Sequence, residues 1–234
     1  MRKRKRVPSS VGKHARRRIG HPVGKANAQR VYNNLNSRID CGSKTLYGVP
    51  LTQLSPGTEI DERLRGVINC RGFQVCQEVQ NKHTGPLYVN IAIVHAKNES
   101  IASVADLEPN FFRATGVERG IDFGSSSISG LGYHCNNLNT DALNIIKHKR
   151  YKLGEKYASG PFKSESSSNY MTTKWWVPMK RQLRYDRTTT SEPEGGHIWL
   201  VWWCDQWGSA ATSGFTSMAQ VNTRTVMYYK NSRN

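Results

Sequence analysis

An all-β sandwich or barrel is the fold class this sequence predicts. Three observations carry that expectation. Beyond residue 38 the chain is a series of runs rich in Val, Ile, Thr, Tyr and Trp. Clusters of Gly, Ser, Asn and Pro separate those runs. No long helical periodicity appears and strands do not alternate with helices, which argues against a parallel α/β sheet.

The predicted strands are 43–50, 66–79, 87–97, 143–153, 173–186, 197–205 and 221–230. Residues 56–62, 80–86, 124–140, 154–170, 188–196 and 208–217 read as turns or loops. A short helix fits within 99–114, with Ser100 and Ser103 as caps and Pro109 limiting its length. The clearest strand is KWWVPMKRQLRYD at 174–186. Trp175, Val177, Met179, Leu183 and Tyr185 share one face; Trp176, Pro178, Lys180, Gln182, Arg184 and Asp186 share the other. Pro178 cannot donate to a ladder, so it belongs at an edge or a bulge. The run HIWLVWWCD at 197–205 is apolar on both faces, as expected of a central strand covered by the opposite sheet and by another subunit.

All six Trp lie between 175 and 207. Trp175 and Trp202 are assigned to the core. Trp176, Trp203 and Trp207 are assigned to a subunit interface, with base stacking as the alternative use of such rings.

Charge divides the chain. The 234 residues carry 34 Lys+Arg and 17 Asp+Glu, a formal +17. Eleven of the bases fall in residues 1–30: Arg2, Lys3, Arg4, Lys5, Arg6, Lys13, Arg16, Arg17, Arg18, Lys25 and Arg30. The first acid is Asp40. Residues 1–38 therefore read as a basic, disordered N-terminal arm with too little apolar surface to order alone, followed by a domain at 39–234. Such an arm neutralises phosphates without reading bases. RKRKR at 2–6 and KHARRR at 13–18 also look like a bipartite nuclear import signal, carried by Arg2, Lys3, Arg4, Lys5, Arg6, Arg16, Arg17 and Arg18.

A second basic group lies in LNIIKHKRYKLG at 143–154. Lys147 and Lys149 alternate with His148, Arg150 and Lys152, so this strand cannot be buried on both faces. With Lys180, Arg184, Arg224 and Lys230 it is expected to form a basic floor beneath the arm and bind nucleic acid. A run of about 18 apolar residues is absent, so no membrane partner is expected. The charged N-terminus lacks the apolar stretch of a secretory signal. Five dispersed cysteines fit reduced thiols better than a disulfide framework.

The sequence carries no recognisable catalytic pattern. The Gly-rich stretch 120–132 is no P-loop, and neither H-E-x-x-H nor G-x-S-x-G occurs. His134 and Cys135 are adjacent, which is not a dyad. Glu59, Asp61 and Glu62 form the one acidic cluster, in a Pro/Gly turn, and read as solvated charge or as a patch meeting a basic neighbour. The expectation is a non-enzyme without a cofactor.

The order of the last four segments brings a family into view. The basic strand IIKHKRYKLG, the aromatic-basic strand KWWVPMKRQLRYD, the Trp-rich HIWLVWWCDQWGSA and the terminal NTRTVMYYKNS follow one another. This order resembles the C-terminal half of capsid proteins of small circular single-stranded DNA viruses, the geminivirus and genomovirus type more than the circovirus type. The resemblance covers roughly residues 140–234, and the arm by composition. It implies an eight-stranded antiparallel single jelly roll of two packed sheets, and self-assembly of on the order of sixty copies into an icosahedral shell. It also implies a packaged single-stranded DNA genome and a host nuclear import receptor as partners, with the protein in the virion and, during infection, in the host nucleus. Proteins of the geminivirus type often carry a zinc site in the N-terminal half. Here Cys70, Cys76 and His83 lack knuckle spacing, so no metal is expected. The competing function is a cellular nucleic-acid-binding β-domain, ribosomal or chromatin in kind, with a basic tail.

Overall fold

The structure, a computed structural model, describes residues 30–58, 62–98, 101–113, 120–125, 128, 130–156, 167–186, 191–206 and 217–231. Ten strands occur among them: β1 Arg30–Cys41, β2 Tyr47–Pro50, β3 Val67–Asn81, β4 Leu87–Ala96, β5 Phe112–Arg113, β6 Gly120–Ile121, β7 Leu143–Leu153, β8 Tyr170–Arg184, β9 Ile198–Gln206 and β10 Ala219–Asn231. One short helix, α1, spans Gly130–Cys135. No helix among the described residues is long and apolar enough to cross a membrane.

The pairing gives the topology. β5 and β6 pair with each other and join neither large sheet; the other eight strands obey one rule. The first of the eight pairs with the last (β1 with β10), the second with the seventh (β2 with β9), the third with the sixth (β3 with β8) and the fourth with the fifth (β4 with β7), all antiparallel. The chain is thus one long hairpin. Two further pairs, β10 with β3 and β4 with β9, roll it into two four-stranded sheets. Sheet A has the order β1-β10-β3-β8 and sheet B the order β2-β9-β4-β7. Two packed sheets wound from a rolled hairpin make an eight-stranded jelly roll, the fold implied by the resemblance.

The sheets meet over a core set by strand alternation. Ile68, Phe73, Val75 and Val79 of β3, Trp175, Val177 and Leu183 of β8, and Val221, Met227 and Tyr229 of β10 point inward from sheet A. Leu87, Val89, Ile91 and Ile93 of β4 and Ile198, Leu200 and Trp202 of β9 oppose them. Trp175 and Trp202 are core residues, as expected. β8 is an edge strand, and its Pro178 stands opposite Gly72 where the β3 register shifts. Proline is tolerated there on both counts.

Several sequence expectations shift. β1 begins at Arg30, inside the stretch assigned to the arm. Its Asn-rich sequence has little apolar signal, but an edge strand needs mainly the backbone ladder, here supplied by β10. The strand expected at 43–50 is shorter, reaching only from Tyr47 to Pro50, with Ser43 making an isolated bridge to Cys204. The short helix expected within 99–114 is one 3-10 turn, Ala105–Leu107, held by Ser103 and Asp106 (Oγ to Oδ2, 2.8 Å). The supposed loop 124–140 contains α1, because Ile128, Tyr133 and Leu138 are buried anchors in a Gly/Ser/Asn-rich setting.

The largest correction concerns β9. Its second face is covered by this chain rather than by another subunit. Trp199, Val201 and Trp203 pack against Leu107, Phe111, Phe112, Phe123, Ile128, Tyr133 and Leu138, all contributed by the link between β4 and β7. Trp203 is 1% exposed, and its indole N–H donates to the Tyr133 carbonyl at 2.8 Å. It is a core residue and is withdrawn from the subunit interface.

Candidate nucleic-acid interface

Alternation that buries one face of sheet A exposes the other. Reading across β10, β3 and β8, the outward side chains fall into rows: Arg224, Cys76 and Lys174; then Val226, Gln74 and Trp176; then Tyr228, Gly72 and Pro178; then Lys230, Asn69 and Gln182. Lys180 and Arg184 stand on the same face of β8. No described segment packs over these rows. Lys174, Lys180, Arg184 and Arg224 are exposed and Lys230 is half-buried. Among the described residues, the one acid in these strands on this face is Glu78, which accepts from Asn222 Nδ2 at 3.4 Å. The face is therefore strongly positive, and phosphates are the natural counter-charge.

Two rings stand in the middle of the cations. Trp176 and Tyr228 lie edge to face, with centroids 5.5 Å apart and planes at 71°. The Tyr228 hydroxyl donates to Gln74 Oε1 at 3.5 Å. Gly72 makes room for the indole. Its φ is +153°, and a Cβ there would stand 2.8 Å from Trp176 Cζ2 and 2.5 Å from the Val177 carbonyl oxygen. A side chain at this position would collide with the ring and strain the backbone.

Lys180 and Arg184 thus share a face with Arg224 and Lys230, as expected. The cations of β7 do not join them, because β7 belongs to sheet B. Lys147 and Lys149 point to the inner side of an edge strand, into the open flank between β7 and β8. There Lys147 Nζ sits 4.6 Å from the Trp175 ring centroid. The Trp175 indole N–H donates to the Tyr151 hydroxyl at 3.3 Å. Inward-pointing lysines on an edge strand also discourage pairing with a further strand. This resolves the conflict of a strand charged on both sides.

His148, Arg150 and Lys152 point to the outer side of sheet B. His148 stacks on Trp203 (5.6 Å), and both His148 Nε2 and Arg150 Nε lie 3.3 Å from Asn90 Oδ1. Asn90 Nδ2 donates to His134 Nδ1 at 3.4 Å. Burial, then the neighbouring Arg150 charge, pushes the His134 pKa down to about 4. The same two causes lower His148. Lys152 Nζ is 6.0 Å from the Tyr88 ring centroid. These groups tie α1 and the link to the sheet, so the expected single basic floor divides into a sheet A face and a separate β7 flank.

His134 is buried while Cys135 is exposed, so the pair diverges in space. Cys70 points into the core and Cys76 to the outer face of β3, which places the two thiols on opposite sides of the sheet. Burial raises the Cys70 thiol pKa to about 12. Of the acidic cluster, Glu62 is described and its carbonyl accepts from the Tyr229 hydroxyl at 2.9 Å. Glu59, Asp61, Trp207 and the arm cations Arg2, Lys3, Arg4, Lys5, Arg6, Lys13, Arg16, Arg17, Arg18 and Lys25 lie outside the described residues. Of Arg30 only the backbone is described; it opens β1, opposite Tyr229. Sequence reading did not place Lys174 and Tyr228 on this face. The alternation that places Lys174 was visible, whereas Tyr228 meets Trp176 only through pairing of distant strands.

No family model matches the chain, and no curated protein matches it in sequence. Among solved structures, one titled desmodium yellow mottle tymovirus is similar over 88% of this chain and 87% of that chain, with 7% identity and a TM-score of 0.32. A likeness at that level carries no argument, and the fold assignment rests on the strand pairing given above.

Proposed function

We propose that this chain is a viral capsid subunit that self-assembles into a closed icosahedral shell and packages single-stranded DNA. Jelly rolls also serve lectins and cupins, so the fold alone does not decide. The observation that carries the reading is the cationic face of sheet A, over which no described segment packs, together with its edge strand. β1, which follows the arm cations, enters the sheet opposite Tyr229, beside Tyr228 and Lys230. The arm and the face are therefore joined at one place, and both attract phosphate. The resemblance of the C-terminal segments supports a circular single-stranded DNA genome, and the two arm clusters support import into the host nucleus before assembly.

Electron microscopy of the purified protein tests assembly directly. Closed shells of uniform size are the expected result, with nuclease-protected nucleic acid inside that DNase destroys after the shell is opened. Protected RNA would shift the reading to an RNA container. A monodisperse monomer at high concentration, with and without DNA, would overturn it in favour of a cellular nucleic-acid-binding domain. Removal of residues 1–29 is expected to yield emptier shells, since the strands that build the jelly roll begin at Arg30.

A further inference from the structure

We infer that Trp176 and Tyr228 form a base-stacking platform that makes the outer face of sheet A selective for single-stranded over duplex nucleic acid. This deepens the proposed packaging role and rests on it only for biological context, since the platform is a property of the isolated subunit.

The alternative use of Trp176 is as a hot spot against another subunit. Its surroundings speak against that. The core of a protein interface is depleted of charge, whereas Trp176 and Tyr228 lie between the Arg224/Lys174 row and the Lys230/Gln182 row, with Lys180 and Arg184 further along β8. At about 3.4 Å per residue, successive rows are roughly 7 Å apart. Aromatic rings with cations both before and after them along the same track are the arrangement that binds a single strand: cations follow the backbone while unpaired bases lie on the rings. A duplex gives the cations its phosphates but hides the faces of its bases, so it gains nothing from the rings.

The rings are also held in place. Trp176 is seated over Gly72, which leaves no side chain beneath the indole, and Tyr228 is fixed against Gln74. Two perpendicular rings offer a base one face to lie on and one edge to abut. Tyr170, 48% exposed, stands on the same face of β8 three rows from Trp176.

Binding of a fluorescent twenty-nucleotide oligo-dT and of a twenty-base-pair duplex to the full chain provides the test. Trp176→Ala should weaken oligo-dT binding roughly 5- to 150-fold, the range for losing one stacked base, and leave the duplex within about twofold. The slope of log K against log salt should stay unchanged for this variant. Lys174→Ala should instead weaken both ligands and flatten the oligo-dT slope by about 0.7. Trp176→Phe, which keeps an aromatic face and the packing on Gly72, should retain most oligo-dT binding and guards against misfolding as the cause. Equal loss for oligo-dT and duplex, or no loss for either, would overturn the platform. Photocrosslinking of an oligo-dT carrying 5-iodouracil gives a second readout: adducts on the peptides of Trp176 or Tyr228 are expected, and adducts confined to residues 1–29 would refute the inference. Shells that form and package with no role for Trp176 would sink the platform and spare the assembly reading; a working platform on a permanent monomer would do the reverse.

Discussion

The outer faces of the two sheets solve the same problem in opposite ways. Each four-stranded sheet buries one side in the shared core and must dispose of the other. Sheet B presents Ala92, Val94, Trp199, Val201 and Trp203 on its outer side, and the link between β4 and β7 folds over them with Phe111, Phe112, Phe123 and Tyr133. Sheet A presents lysines, arginines, amides and two half-buried rings, and no described segment covers it. Equal strand numbers and similar alternation thus give one face that is structural and one that no described segment covers. The difference lies in which residues occupy the outward positions, because the backbone pattern is the same in both.

Paired truncations test that contrast most severely. Trp203→Ala should cost about 3–5 kcal/mol, the range for emptying a large buried aromatic site. Trp176→Ala on the other sheet should cost less, since Trp176 is only half-buried and loses less burial on truncation. Urea unfolding of both variants checks the difference. Similar losses would mean that the sheet A face is covered after all.

Acid should act on sheet B and spare sheet A. The sign follows from His134, held near 4 when folded against about 6.5 when unfolded. Between those values the unfolded chain binds a proton that the native state does not. Stability is therefore full above pH 6.5 and falls as pH drops toward 4, by a total on the order of 3 kcal/mol. His148, His95 and His197 are also lowered, chiefly by burial, and act in the same direction. Urea midpoints measured from pH 7.5 to 4.5 should decline, and His134→Gln should flatten the decline. A level profile in the parent protein would show that His134 is not buried in its neutral form.

The smallest expected effect sharpens the boundary between the sheets. Lys147→Met keeps the aliphatic stem that lies on Trp175 but loses the ammonium, at a cost of about 0.5–1 kcal/mol. It also removes an inward charge from edge strand β7, so concentration-dependent association should rise in light scattering.

The sequence revealed whatever depends on local period. Alternation along 174–186 located the core side of β8, and Pro178 identified it as an edge or bulge strand from one residue. The apolar run around Trp199 to Trp203 showed that β9 is covered twice. What covers its outer side was hidden, because Phe111, Phe112, Phe123 and Tyr133 are scattered among glycines, serines and asparagines. Each lies in a stretch that reads as loop, and only the folded chain gathers them. The division of the basic residues was hidden for a related reason. Alternation shows that Lys147 and Lys180 lie on strand faces, but it does not say which sheet each strand joins. β1 was missed because an edge strand held by backbone pairing needs few apolar residues.

The position of β10 between β1 and β3 has a consequence for synthesis. Among the described strands, the one that follows the arm is made first, and the one that holds it is made last, nearly two hundred residues later. A chain interrupted before Ala219 has nowhere to dock β1 and leaves an edge of β3 unpaired. Long-range closure of this kind is slow to form and leaves sticky intermediates in the meantime. In return it acts as a check on synthesis: β1 joins the sheet only in a polypeptide that has been translated through β10.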